Sequence, residues 1–236
     1  MAGAIAHHIN NKLTAVLGYL DLAAFKMDSG GDARDHIRDG IEAAQQASWI
    51  GKLMLDYLGH GFHHRELVDV GALCLEVFDA VRVNAQEGVR LLTDLPDSED
   101  GPLAIVADVG DMKRVLENLL QNALEEITGK GEVRLSMRKV PAGSVTTSLL
   151  LAPGWTPVPG YYVCLEVTDN GPGMTPEVLQ NASDPFFTTK FAGRGLGLPV
   201  VLGIVQAHGG TVSVETTPGH GSTFRVFLPL KAILTT

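Results

Sequence analysis

The sequence predicts an α+β protein: a helical hairpin, forming a dimeric four-helix bundle, followed by an α/β sandwich. Three observations carry that prediction. Residues 4 to 27 and 33 to 58 place apolar side chains at helical spacing and show no strand-like alternation. From residue 66 onward, short β-branched runs alternate with helical ones, the pattern of a sheet covered by helices. Between the two, Gly59-His60-Gly61-Phe62-His63-His64 breaks the helical period. The expected domains are therefore 1–64 and 65–236.

Composition sets the outer bounds. In 236 residues, 45% hydrophobic and 19% charged content is that of a well-packed globular chain. The net charge of -9 argues against nucleic acid and anionic membrane as partners, so a phosphate ligand would need Mg²⁺ and a few placed cations. No apolar run approaches the roughly 20 residues of a membrane span, and no signal peptide is expected. Cys74 and Cys164 lack metal-ligand spacing and read as core residues of a reduced, cytoplasmic protein.

In the first helix Leu13, Val16, Leu20, Ala23 and Met27 fall within about 40° of Ile9, a heptad-like stripe. His7, Asn11, Thr14 and Gly18 form the opposite, outer strip. Ser29-Gly30-Gly31-Asp32 is a tight break. The second helix has a seam of Ile37, Ile41, Ala44, Ser48, Gly51 and Leu55, and from Trp49 on it is apolar all round. An isolated hairpin cannot bury such faces, so a homodimer through residues 4–58 is expected. The histidines of the break lack a matching Cys or acidic cluster and are expected to be a solvated joint.

Beyond the break, strands are expected at Glu66 to Val70, Val89 to Thr93, Leu103 to Ala107 and Glu132 to Val140, and helices at Ala72 to Gln86 and Val115 to Ile127. Pro141 to Gly160 reads as an insertion without assigned function. Tyr161 to Thr168 alternates Val163, Leu165 and Val167 with Tyr162, Cys164 and Glu166, the period of a strand with one buried face. A long helix and a hairpin of Thr211 to Glu215 with Thr223 to Leu228 follow, completing a mixed sheet covered by helices on one face.

Chemistry concentrates after that strand. Asp169-Asn170-Gly171-Pro172-Gly173-Met174 places a carboxylate at a strand end, where it can accept a hydrogen bond from the exocyclic amine of adenine. Gly171 and Gly173 leave no Cβ in the way of a flat ligand. Taken alone, Asn170-Gly171 fits a hairpin turn equally well. Asp184 to Lys190 precedes Gly193-Arg194-Gly195-Leu196-Gly197-Leu198, whose glycines let backbone N–H groups approach phosphate oxygens at a helix N-terminus. Lys190 and Arg194 bring charge to the same place. Upstream, Asn118 and Asn122 share one helix face, and an amide oxygen suits Mg²⁺ that also keeps waters and phosphates.

Together these segments resemble the histidine-kinase branch of the GHKL ATPases. Asn118 to Ala123 looks like the asparagine box, Asp169 to Gly173 the first glycine box, Asp184 to Lys190 the phenylalanine box and Gly193 to Gly197 the second glycine box. The resemblance implies that Asn122 is the Mg²⁺ ligand, Asn118 a phosphate-side helper and Asp169 the adenine reader. Lys190, Arg194, Gly195 and Gly197 would be contacts of the lid over ATP. Ala6-His7-His8-Ile9-Asn10-Asn11 resembles the phosphoacceptor box that reads His-Asp-Phe-Asn-Asn. That implies His7 as the phosphorylated residue, flanked by His8 and Asn11, with onward transfer to a response regulator receiver domain in trans. His8 stands where the box has an acid, which leaves a kinase-impaired phosphotransferase or phosphatase of the same fold as the alternative. An ATP-driven clamp or a serine kinase of the superfamily is disfavoured by the phosphoacceptor box.

Overall fold

A computed structural model describes residues 2–57, 64–83, 88–96, 102–145, 151, 154–182 and 197–231. Of residues 2–9, 42, 45–46, 49–50 and 52–57 it describes the backbone alone. The chain divides into two compact units, Met1–Phe62 and His63–Thr236.

The first unit is an antiparallel pair of helices, α1 (Ala2–Asp28) and α2 (Arg34–Tyr57). Gly30, at φ 76°, ends α1: its N–H donates to Met27 O at 3.0 Å while that of Gly31 donates to Lys26 O at 2.8 Å. This pair of bonds satisfies the last carbonyls and turns the chain. Just before α2, Asp32 Oδ1 accepts from the Arg34 N–H at 3.0 Å. What packs α2 on α1 is a row of small residues: Gly40, Ala43 and Ala47 are buried, and a Cβ on Gly40 would lie 3.5 Å from Tyr19 Cβ. The large described residues of the expected seam, Ile37 and Ile41, are not part of that contact. Ile37 and Ile41 are 40% and 55% exposed within the chain, as are Leu13 and Leu20 of α1 at 48% and 49%. Small residues permit the close approach and leave Leu13, Leu20, Ile37 and Ile41 exposed.

The second unit opens with β1 (Glu66–Asp69), α3 (Val70–Arg82), β2 (Val89–Asp94) and β3 (Ala104–Ala107). Helix α4 (Val109–Glu126), β4 (Gly131–Pro141), β5 (Tyr161–Asp169) and α5 (Pro176–Asn181) follow. The last elements are α6 (Gly197–Ala207), β6 (Thr211–Thr216) and β7 (Ser222–Pro229). Among the described residues β1 and β3 form an antiparallel ribbon, and a five-stranded mixed sheet has the order β2-β4-β5-β7-β6 with only β2 and β4 parallel. The expected α+β fold is present.

Two helices start earlier than their apolar periodicity implies, because aspartates cap them. Asp69 ends β1 and accepts from Gly71 and Ala72 N–H, so α3 begins at Val70; Asp108 accepts from Asp111 N–H, so α4 begins at Val109, not Val115. Met112, Val115, Leu116, Leu119, Leu120 and Ala123 form the buried stripe of α4. It packs with α6 on the sheet face lined by Leu135, by Leu165 and Val167 of β5, and by Val212, Val214 and Val226. The two helices are tied where α6 ends and α4 begins. Asp108 N–H donates to His208 Nε2 at 3.2 Å, His208 Nδ1 lies 2.8 Å from Ile204 O, and Arg65 Nη2 donates to Ala207 O at 2.6 Å.

The other face of β5 corrects the one-sided reading of that strand. Tyr162 and Cys164 are as buried as Val163 and Leu165, because the segment after β4 crosses over them. Val145 and Phe227 join them in a second cluster, with Val140, Ala142 and Trp155 packed against it. Trp155 meets Tyr162 edge to face, at 5.8 Å, and its Nε1–H donates to Gly209 O at 3.3 Å. Leu151 N–H donates to Val212 O at 3.0 Å on the open edge of β6. The described residues of the insertion thus form a strap against the outer sheet face and its edge. Both cysteines are free and buried; burial, with Asp69 nearby, pushes the Cys74 thiol up to about 12. No described helix is long and apolar enough to cross a membrane.

Candidate nucleotide site

The site is built on α4. Asn118, Asn122 and Glu126 recur every four residues along one half-buried row beside the buried stripe. At 1.5 Å rise per residue the row is about 12 Å long. At its first end stands Gly197, the first residue of α6: a Cβ there would lie 3.1 Å from Asn118 Oδ1 and 3.3 Å from Asn122 Nδ2. Asn118 is held by its own helix, Nδ2 donating to Arg114 O at 2.7 Å.

At the other end of the row is the loop after β5. Asp169 pairs in register with Val133 and Ser222 and shares the parity of Leu165 and Val167, so its carboxylate lies on the helix-covered face, 5% exposed. Its Oδ1 accepts from Gly171 N–H at 2.8 Å. Burial raises its pKa above the ordinary aspartate value; hydrogen bonds from the backbone of Gly171 and Ser222 oppose this, and the nearby Glu126 charge adds to it. Asn170 clasps β4, accepting from Glu132 N–H at 2.8 Å and donating its own N–H to Glu132 O at 3.3 Å. A Cβ on Gly171 would stand 2.9 Å from Asp169 Oδ1 and 3.2 Å from Glu126 Cβ. Gly173 takes φ 64°, where a Cβ would run into Thr217 O at 2.2 Å. The loop leads into α5, not into a second strand, so the hairpin-turn reading of Asn170-Gly171 is excluded. A cleft of about 480 Å³ lies beside it, lined among others by Glu125, Glu126, Lys130, Asn170 and Pro172.

Gly197 is thus brought to the Asn118 and Asn122 end of the α4 row and Asp169 and Gly171 to its Glu126 end, while Gly173 packs on Thr217 and Gly221. Lys190, Arg194 and Gly195 lie in 183–196, outside the described residues, as do the side chains of His7 and His8. Asn11 is exposed on α1 together with Thr14 and Gly18, the expected outer strip. Sequence reasoning misses Glu126, although its place four residues beyond Asn122 is a usable signal. Thr216, Gly221 and Ser222, which hold the loop from below, give none. Among the described residues no group of three or more His, Cys, Asp or Glu is placed to hold a metal ion.

Residues 107–232 match the family described as histidine kinase-, DNA gyrase B- and HSP90-like ATPases. The chain belongs to this ATPase family. Its helical N-terminal part is covered as well by the sequence relatives. The chain is 29% identical over 230 residues to the sensor histidine kinase ZraS of Klebsiella oxytoca, 98% of this chain and 46% of that protein. It is 30% identical over 233 residues to the sensor kinase CckA of Brucella abortus, 97% of this chain and 24% of that protein. It therefore spans between about a quarter and a half of these relatives. Solved structures share the ATPase-family fold: the catalytic domain of histidine kinase ThkA, at TM-score 0.56 and 24% identity, covers 70% of this chain and 95% of its own. Acinetobacter baumannii histidine kinase AdeS, at TM-score 0.61 and 20% identity, covers 95% and 98%.

Proposed function

We propose that the chain is an ATP-dependent protein histidine kinase that autophosphorylates His7 and passes the phosphoryl group to an aspartate of a response regulator. The observation that carries this reading is the α4 row, which joins the Gly197 end and the Asp169 end of one site over about the length of a nucleotide. In this reading the Asp169 carboxylate accepts from the adenine amine, Gly171 leaves that carboxylate uncrowded, and Gly173 lets the loop close on the turn at Thr217. Asn122 offers an amide oxygen to Mg²⁺ and Asn118 stands on the phosphate side. The space a Cβ would fill at Gly197 keeps both amides open to the phosphates, so the residues fit the ion. Mg²⁺ bound there supplies charge neutralisation. Lys190, Arg194 and Gly195 complete the phosphate contacts. The protein acts in the cytoplasm as a homodimer through residues 4–58, with a receiver domain docking in trans on the strip of Asn11, Thr14 and Gly18.

Transfer needs in-line placement more than covalent help. An imidazole nitrogen of His7 attacks the γ-phosphorus, the bond to the bridging oxygen breaks, and ADP leaves with that electron pair. The ring proton passes to a neighbouring base, for which neutral His8 is adjacent. Onward transfer breaks the P–N bond and forms an acyl phosphate on the regulator's aspartate. Labelled ATP followed by acid and alkali treatment tests the reading: an acid-labile, alkali-stable label that is lost in His7→Gln is expected, and an acid-stable label defeats it. The residue at position 8 favours one second reading, a phosphotransferase or phosphatase with ATP as structural ligand; Mg-ATP binding without label, together with dephosphorylation of a receiver aspartate, would establish it.

A further inference from the structure

The turn between β6 and β7 touches the Asp169 to Met174 loop from about 40 residues away in sequence, and one side chain organises the contact. Met174 N–H donates to Thr216 Oγ1 at 2.9 Å, Thr216 Oγ1 donates to Gly221 O at 3.0 Å, and Ser222 Oγ lies 3.0 Å from the same hydroxyl. A threonine hydroxyl has one proton and two lone pairs. With its proton on Gly221 O, the two lone pairs receive Met174 N–H and Ser222 O–H, so the hydroxyl is fully used. Around it the two backbones touch. Gly219 N–H donates to Pro172 O at 2.7 Å, and a Cβ on Gly221, at φ 83°, would lie 2.0 Å from Asp169 O.

We propose that Thr216 is a positioning residue for nucleotide binding: its hydroxyl fixes the height of the loop that carries Asp169. It thereby sets affinity at the purine end and leaves transfer at the phosphate end alone, since Gly197 stands at the far end of the α4 row. This rests on the nucleotide reading above. Thr216→Val keeps the shape and removes every bond of the hydroxyl, whereas Thr216→Ser keeps the hydroxyl.

With labelled ATP and the full chain, the valine variant should raise KM for ATP about tenfold, the scale of a lost hydrogen bond, with the saturating rate within about twofold. The serine variant should match the unsubstituted chain. An unchanged KM in the valine variant overturns the proposal, and so does a serine variant as impaired as the valine one, which would point to packing. A reduced saturating rate at unchanged KM overturns it too. Should the valine variant fail to fold, hydrogen exchange on the unsubstituted chain decides: Mg-ATP should slow the amides of 169–174 and 216–222 together, and protection confined to the first stretch counts against the coupling. An unsubstituted chain that neither binds Mg-ATP in calorimetry nor takes label defeats the nucleotide reading itself, a result distinct from each of these.

Discussion

Asp169 ionises against its surroundings, and that sets two opposed expectations for one substitution. Burial raises its folded-state pKa above the unfolded value. By linkage, the stability it contributes is present below the unfolded pKa and is lost as pH rises through the raised one, so at neutral pH the charged form costs the fold. In the proposed site binding has the opposite sign, because there only the carboxylate would accept from the adenine amine. Asp169→Asn should therefore hold or raise the melting temperature without nucleotide while weakening Mg-ATP by roughly tenfold or more, the loss of a charge-assisted hydrogen bond. Calorimetry across pH supplies the check: affinity should fall on acidification from above the usual carboxylate range, and the variant should lack that limb. Position 8 carries a comparable argument for rate. An aspartate there would be ionised at neutral pH, whereas a histidine is a base only when neutral, with an ordinary pKa near 6.5. Autophosphorylation should fall as pH drops through about 6 to 7, and His8→Asp should raise the rate and move that limb lower. Label that survives in His7→Gln and vanishes in His8→Gln would show that the acceptor is His8.

At the scale of elements, α4, which carries the proposed ligand contacts, and the strap, which covers the sheet, lie on opposite faces of β5 and can be tested separately. If Asn122 holds the ion as proposed, Asn122→Ala should weaken Mg-ATP more than metal-free ATP; equal weakening in titrations of both would point to a damaged helix. Trp155→Ala should do the converse. It removes an edge-to-face contact with Tyr162 and a hydrogen bond to Gly209, on the sheet face away from α4, so about 2–3 kcal/mol of stability should go while ATP affinity stays. Denaturant unfolding with and without nucleotide separates the two. These elements also show what the chain makes legible. The spacing of Asn118 and Asn122 is a local, helical signal, and Asp169 followed by Gly171 and Gly173 is a local turn signal, so the placing of both can be read. The earlier start of α4 is readable in principle from Asp108 and Asp111, but apolar periodicity outweighs the cap. Cys164 reads as a core residue from its type, but the burial of Tyr162 is not readable from the period of its strand, because the residues packed on it, Val145 and Trp155, come from an irregular part of the chain. Nor is the Thr216 to Met174 bond, which spans 42 residues and joins a strand end to a loop.

For the whole molecule, the governing question is what covers the apolar faces of the helical pair. Gly40, Ala43 and Ala47 settle the contact of α2 with α1, and they leave Leu13, Leu20, Ile37 and Ile41 about half exposed. Single exposed leucines are ordinary, but a stripe at heptad spacing on both helices matches the seam of a bundle. A second copy would bury the same four residues on each chain by two-fold symmetry. Light scattering at micromolar concentration should give the mass of a dimer. Leu20→Glu, which places a charge in each half of the seam, should shift it toward monomer, because burying unpaired like charges costs several kcal/mol. Mg-ATP affinity should stay unchanged in that variant, since Asn118, Asn122 and Asp169 all belong to the unit His63–Thr236. Labelling of His7 then discriminates how transfer is arranged. Label lost on dissociation and restored by mixing with a His7→Gln dimer requires the partner's nucleotide, whereas label retained by the monomer places donor and acceptor in one chain. A stable monomer of the unsubstituted protein at those concentrations would sink the bundle altogether.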